Sequence, residues 1–273
     1  MYYYINNKFI NSKDAQIPFS DAGFLYGDGL FETMRFDGRK IFSPKKHLSR
    51  LQRGLKLIHL KINKDKQELL DILNEVIKRN NIDSGIIRMM ITRGISDKEI
   101  DKYNIPNLYI SIKPFYEIPT TSVKVIYLDE TKYPIIRFTP AIKSMNYIGN
   151  MLAKNDADKK GAFEPIFYNK NKLITECAIR NIFYIKNNIL LTPSLDLGIL
   201  SGVMRDTIID IARNLNMEIN ETSIKLSDVS TMDEAFITSK GIGLLQCYWD
   251  NWNSKFLQTK LIKKELFNRI KNS

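Results

Sequence analysis

Apolar and polar positions alternate through MYYYINNKFI around Asn6 and Asn7, which predicts a β-hairpin closing on the asparagine pair. From Pro44 the period changes. Leu48, Leu51, Leu55 and Ile58 recur every three or four residues and predict an amphipathic helix over 45–59. A second helix is expected over 65–79, with Leu69, Leu70, Leu73, Val76 and Ile77 apolar. GIIRMMITRG and NLYISIK read as strands, and KPFYEIPTTS, with its two prolines, breaks the pattern. A domain boundary is expected near residue 118, dividing the chain into 1–118 and 119–273.

Beyond that boundary, VKVIYLD reads as strand-like, and EPIFYNKNKLIT and NIFYIKNNILLT predict hairpins turning on Asn/Lys clusters. A helix is expected over 202–214, with Met204, Ile208, Ile211, Ala212 and Leu215 on one face. The C-terminal KLIKKELFNRIKNS places Ile262, Leu266, Phe267 and Ile270 near helical spacing, so it reads as a surface helix with a solvated basic face. Mixed strands and helices in two halves argue for an α+β or α/β protein of two domains, without solenoid repeats.

Composition narrows this picture only a little. The 273 residues carry 41 Lys+Arg against 30 Asp+Glu, a formal charge of +11. The lysines are scattered among abundant Ile and Asn, so the charge reads as compositional bias. It implies a preference for anionic small molecules and no nucleic-acid partner. Two cysteines, Cys177 and Cys247, make no disulfide framework and no structural zinc site. With no apolar run near the ~20 residues a membrane span needs, and no basic leader ahead of a long apolar stretch, a cytoplasmic protein without membrane contact is expected.

Several common chemistries are absent from the motifs. His47 and His59 match no metal spacing; there is no Walker loop and no G-x-S-x-G elbow; GDGLFE at 27–32 lacks the third glycine of a dinucleotide site. What remains suits an anionic, carbonyl-bearing cofactor. Ser201-Gly202-Val203-Met204 opens a helix whose N-terminal N–H groups favour phosphate, although Ser201 also reads as a plain helix cap. Ser239-Lys240-Gly241 makes a second small turn after AFIT. Arg50 lies on the 45–59 helix, where a solvated helix face is the plain alternative. Lys143 sits in the largely apolar TPAIKSMNY, where burial favours a neutral, nucleophilic amine, yet it is one lysine among many. Glu176 ends the strand KLITE, and a surface strand end is its alternative.

Taken together and in this order, these residues resemble the fold-type-IV (class IV aminotransferase) family of pyridoxal-phosphate enzymes, closest to 4-amino-4-deoxychorismate lyase. The resemblance runs through FSDAGFLYGDGLFETMR, HLSRL, IKSMNYIGNMLAK, ITECAIRNIF, LTPSLDLGILSGVMR and DEAFITSKGIG. It implies an α+β fold: a small N-terminal α+β domain, a larger C-terminal β-barrel-like α/β domain that binds pyridoxal 5'-phosphate, and the cofactor between them. It also implies a homodimer acting on a small carboxylate substrate. Residue by residue, Lys143 matches the lysine that carries the cofactor covalently and moves the substrate proton. Glu176 matches the carboxylate facing the pyridine nitrogen, and Arg50 the phosphate-binding arginine. Val203 and Met204 match the helix-start pair with phosphate-facing N–H groups, and Ser239 and Lys240 align with a second phosphate-side turn. Tyr26 and Tyr147 align near the substrate.

Three positions bear on the reaction. Thr33 matches a threonine that the lyases use near the substrate; Gly243 and Met204 also resemble lyase segments. Lys98 and Ile100 stand where D-amino-acid aminotransferases place a carboxylate-binding Arg and His. The Tyr-x-Arg strand of branched-chain enzymes appears as Ile86-Ile87-Arg88. Arg88 remains either a substrate-carboxylate contact or a structural strand charge. The resemblance therefore favours a lyase giving p-aminobenzoate and pyruvate, with an aminotransferase of branched-chain or D-amino acids as the alternative.

Overall fold

Asn6 and Asn7, at φ 42° and 70°, close the N-terminal hairpin in the left-handed conformation that asparagine tolerates. They join β1 (Tyr2–Ile5) to β2 (Lys8–Asn11) in the computed structural model, which describes residues 1–95, 105–115 and 117–271. Lys98 and Ile100 lie outside the described residues. The chain divides into two units. One holds Met1–Tyr116 together with Ile142–Asn146; the other holds Glu117–Ala141 and Tyr147–Asn272. The segment bearing Lys143 thus packs with the first unit, although it lies in the second half of the chain.

The first unit is an antiparallel sheet in the order β2-β1-β6-β5-β3-β4, adding β3 (Gly29–Asp37), β4 (Lys40–Ile41), β5 (Gly85–Thr92) and β6 (Asn107–Pro114) to the hairpin. A short α1 (Ala22–Tyr26) precedes β3. Two helices cover one face, α2 (Pro44–Leu57) and α3 (Lys66–Asn80). Pro44 starts α2 with its pre-set φ, and Asp65 and Glu68 form a reciprocal capping box at the start of α3. Leu30, Met34 and Phe36 of β3 pack with Ile87 and Met89 of β5 against Leu48, Leu51, Leu69 and Leu73 of the helices. Each such side chain contributes roughly 1.5–3 kcal/mol by leaving water. β3 is the strand around which this core forms, and it has no counterpart among the elements that periodicity predicts.

The second unit is an eight-stranded mixed sheet in the order β12-β11-β10-β13-β14-β7-β8-β9. Its strands are β7 (Val123–Asp129), β8 (Glu164–Tyr168), β9 (Ile174–Cys177), β10 (Asn181–Lys186), β11 (Ile189–Pro193), β12 (Ile219–Thr222), β13 (Glu234–Ser239) and β14 (Gly243–Tyr248). The hairpins β8–β9 and β10–β11 form where the Asn/Lys clusters predict them; Asn187 and Asn188 turn the second at φ 50° and 64°. Helix α4 (Ile148–Lys159) packs on β7 and β8, and α5 (Val203–Asn214) and α6 (Leu257–Lys271) pack on β13. The expected apolar face of α6 needs correction: Ile262 and Leu266 are buried, but Phe267 is 67% exposed. Phe267 follows Leu266 by one residue and so points about 100° away from it.

Candidate active site

β3 is two-faced because successive side chains alternate. Leu30, Glu32, Met34 and Phe36 face the helices, while Phe31, Thr33 and Arg35 share the other face. Register extends that second face across the sheet. Thr33 pairs with Arg88 on β5, and Arg88 with Ser111 on β6; one row along, Phe31 pairs with Met90 and Met90 with Tyr109. Residues 142–146 run beside the start of β3. Phe31 N–H donates to the Lys143 carbonyl (3.0 Å), Met145 N–H to the Gly29 carbonyl (2.9 Å), and Leu30 bridges Ser144. Gly29 permits this approach, since a Cβ there would stand 2.7 Å from both the Met145 sulfur and the Ile91 carbonyl oxygen. Half-buried Lys143 sets its Nζ 4.4 Å from the centre of the Phe31 ring, and the Arg88 guanidinium lies 4.8 Å from the same ring. The structure therefore gathers Lys143, Arg88 and Thr33 around Phe31 on one sheet face.

Arg50 is held on the opposite side of the strand. Its Nε donates to Glu32 Oε1 and its Nη2 to Oε2, each at 2.7 Å, and His47 Nδ1 lies 2.6 Å from Oε2. All three residues are buried, Glu32 and His47 completely. Burial by itself would push the Glu32 carboxyl up, but Arg50 and the His47 hydrogen bond outweigh it and hold the pKa at about 2. Arg50 is therefore no solvated helix-face residue. His59 lies past the end of α2 at φ 53°, so the two histidines do not share the helix that the periodicity predicts for both.

In the second unit the N-cap of α5 is Gly202, with no capping side chain, rather than Ser201. A Cβ at 202 would stand 2.0 Å from Asn181 Oδ1, so glycine lets the helix start this close to β10 without displacing Asn181. Val203 and Met204, the first two helical residues, are buried. Asn181 Nδ2 donates to the Leu200 carbonyl (3.0 Å), and Leu200 N–H donates to Glu176 Oε2 (3.2 Å). Glu176 Oε1 accepts from Arg137 Nη1. Asn181 also pairs in register with Thr238, whose buried hydroxyl has no hydrogen-bond partner. Ser239 and the buried Lys240 follow at the end of β13. Glu176, the start of α5 and the Ser239-Lys240 turn thus form one connected neighbourhood.

The two tyrosines expected near the substrate lie at helix ends. Tyr26 ends α1 and is 68% exposed, while Tyr147 occupies the N-cap position of α4. The motif reading missed Phe31, Glu32, His47, Arg137 and Glu130. A signal existed for two: Glu32 occupies an inward phase of the apolar LFETMRF, and Arg137 is the lone charge in PIIRFTP. Among the described residues no His/Cys/Asp/Glu cluster could hold a metal, and no helix is long and apolar enough to cross a membrane.

Within the second unit, an uncapped helix start joined to a held carboxylate suits a small anionic ligand with an aromatic nitrogen. The chain is 33% identical over 257 residues to the aminodeoxychorismate lyase of Bacillus subtilis, covering 89% of this chain and 84% of that protein. It is 31% identical over 248 residues to a D-alanine aminotransferase of Listeria monocytogenes, covering 87% and 83%. Its fold superposes on a branched-chain aminotransferase of Thermoproteus uzoniensis, crystallised with norvaline, with a TM-score of 0.91 over 99% of this chain and 94% of that one, at 22% identity. The amino-transferase class IV family matches residues 29–247, from the first residue of β3 into β14, and the chain belongs to this family of enzymes, which holds both aminotransferases and lyases.

Proposed function

We propose that the protein is a pyridoxal-phosphate enzyme that converts 4-amino-4-deoxychorismate to p-aminobenzoate and pyruvate. The fit of the cofactor rests on three features: the α5 N-terminus without a side-chain cap, the unpartnered Thr238 hydroxyl in the same neighbourhood, and a Glu176 carboxylate with one donor on each oxygen. Pyridoxal phosphate supplies an electron sink for the pair left when a bond to the amine-bearing carbon breaks. Val203 and Met204 offer N–H groups to the phosphate, Ser239 and Lys240 flank it, and Arg50, fixed by Glu32, adds a guanidinium. Glu176 would keep a proton on the ring nitrogen, because a carboxylate favours an adjacent cationic ring.

Lys143 would hold the cofactor through Nζ until the substrate's amine displaces it, and the freed Nζ amine would take the proton from the substrate's amine-bearing ring carbon. The adjacent carbon–oxygen bond then breaks, and the pair leaves with the enol-ether oxygen. That oxygen gains a proton and departs as pyruvate, leaving the aromatic ring of p-aminobenzoate. Arg88 meets a substrate carboxylate, with Tyr26 and Tyr147 as further substrate contacts, and Thr33 orients the leaving group or passes it the proton. The observation that carries this reading is the Thr33–Arg88 cross-strand pair on the sheet face where Lys143 meets Phe31. A homodimer belongs to the same reading; exposed Phe19, Phe24 and Tyr26 offer apolar surface for a second copy, and light scattering checks it.

Resemblance to the Listeria D-alanine aminotransferase favours a second reading, in which Lys143 moves the same proton onto the cofactor and a 2-oxo acid accepts the amino group. One experiment separates the two. Purified protein given 4-amino-4-deoxychorismate and no 2-oxo acid is expected to release pyruvate and p-aminobenzoate over many turnovers, and Thr33→Val to slow this at least ten-fold. Rapid 2-oxo-acid-dependent transamination of a D- or branched-chain amino acid, with no pyruvate release, selects the aminotransferase.

A further inference from the structure

Arg137 lies in PIIRFTP, a stretch outside helices and strands, and its side chain is only 21% exposed. Its Nη1 donates to Glu176; its Nη2 donates to Glu130 Oε2 (2.8 Å) and to Thr175 Oγ1 (3.1 Å). The Thr175 hydroxyl donates onward to Glu130 Oε2 at 3.0 Å. One guanidinium therefore serves two carboxylates, which leaves the cluster with a formal charge of −1. Burial lowers the Arg137 pKa, but Glu176 and Glu130 more than offset it, so the guanidinium stays charged. Glu176 is gripped from two directions, by Arg137 on Oε1 and by Leu200 N–H on Oε2. A carboxylate oxygen accepts two hydrogen bonds, so each retains capacity for a further donor. An unbalanced, partly buried negative charge is costly, and a cationic donor arriving at Glu176 removes that cost.

We propose that Arg137 is the positioning residue behind Glu176: it fixes the carboxylate and, with Glu130, sets an excess negative charge that a protonated aromatic ring nitrogen neutralises. The inference rests on the pyridoxal-phosphate reading above. It explains why a carboxylate meant for the cofactor already carries an arginine, which would otherwise compete with the ring. The second carboxylate on that arginine restores the negative charge at Glu176.

The test uses pyridoxal phosphate labelled with ¹⁵N in the ring, bound to wild type, Arg137→Gln, Arg137→Lys and Glu130→Gln. Wild type is expected to show a protonated ring nitrogen. Arg137→Gln frees Glu176 to swing away from the ring nitrogen. Its cofactor affinity should fall about ten-fold or more, and its ¹⁵N signal should move toward unprotonated pyridine. Arg137→Lys should restore most of the signal, because the charge returns, and less of the affinity, because the forked geometry does not. Glu130→Gln, which keeps Arg137 on Glu176, should move the signal the same way by a smaller amount. Thermal melts of the apo proteins separate these effects from loss of fold. A folded Arg137→Gln with wild-type affinity and ¹⁵N signal overturns the inference; if that variant does not fold, an unmoved signal in Glu130→Gln overturns it. Wild-type protein that takes up no pyridoxal phosphate overturns the underlying reading and this inference with it.

Discussion

Glu32 in the first unit and Glu164 in the second are both completely buried beside an arginine, yet their carboxyls shift in opposite directions. Glu32 meets both arms of Arg50 and the ring of His47, and its pKa falls to about 2. Glu164 meets Arg180 through Nη1 alone and accepts from Ile179 N–H at 2.8 Å. Burial pushes its pKa up, and Arg180, Ile179 and Lys154 offset this only in part. The Arg180 Nε is buried without a hydrogen-bond partner and its guanidinium rests on the Phe163 ring at 4.6 Å. Equal burial with unequal donors gives opposite shifts, so donor geometry, more than depth, sets the carboxylate's state. The cause is local. His47 and Arg50 stand three residues apart on α2 and face Glu32 together, whereas Arg180 approaches Glu164 from a turn.

Removing the better-satisfied carboxylate should cost most. Glu32→Ala removes the buried carboxylate that Arg50 and His47 share and should destabilise the protein by about 3–5 kcal/mol in urea unfolding. A loss below ~1 kcal/mol would show that the pair does not hold the unit. The pH dependence comes next. A carboxylate whose pKa is lowered on folding stabilises above its unfolded pKa of ~4.3, and that stability disappears as pH falls toward about 2. Wild type should lose on the order of 3 kcal/mol from this group across that window. Glu32→Gln should flatten the dependence there. Glu164, with its raised pKa, has the opposite sign: its protonation in acid favours the folded state, so Glu164→Gln should steepen the loss on acidification. The smallest effects test geometry alone. Arg50→Lys forfeits a two-armed contact and should cost about 2 kcal/mol; Arg180→Lys replaces a one-armed contact and should cost about 1 kcal/mol. Equal costs in calorimetry would remove the distinction between the pairs.

Much of the scaffold is legible along the chain. The asparagine pairs at 6–7 and 187–188 mark two hairpin turns, and the spacing of Leu48, Leu51 and Leu55 marks the buried face of α2. β3 is not legible in that way, because it is buried on both faces along most of its length and places the charged Glu32 at a buried position. Its partners explain the break: they lie on a helix more than a dozen residues later, and no local period records them. Candidate site residues divide likewise. Lys143, Glu176 and Val203 are conspicuous by type and motif, while Phe31, which meets Lys143, is an ordinary residue locally, and Arg137, which meets Glu176, stands out only as the lone charge of PIIRFTP.

By itself the sequence determined most of the element types, the family, and the identities of the residues bearing amine, carboxylate, guanidinium and helix-start N–H groups. These are properties of short segments, set by periodicity, turn chemistry and side-chain type. Only the tertiary structure decided which of them meet. Thr33 opposes Arg88 through strand register, Lys143 reaches Phe31 because residues 142–146 return to the first unit, and Arg137 finds Glu176 across 39 residues. Such contacts depend on the packing of distant segments. A slip of one residue in β3 would turn Thr33 toward the helices and Glu32 toward the open face without changing any motif.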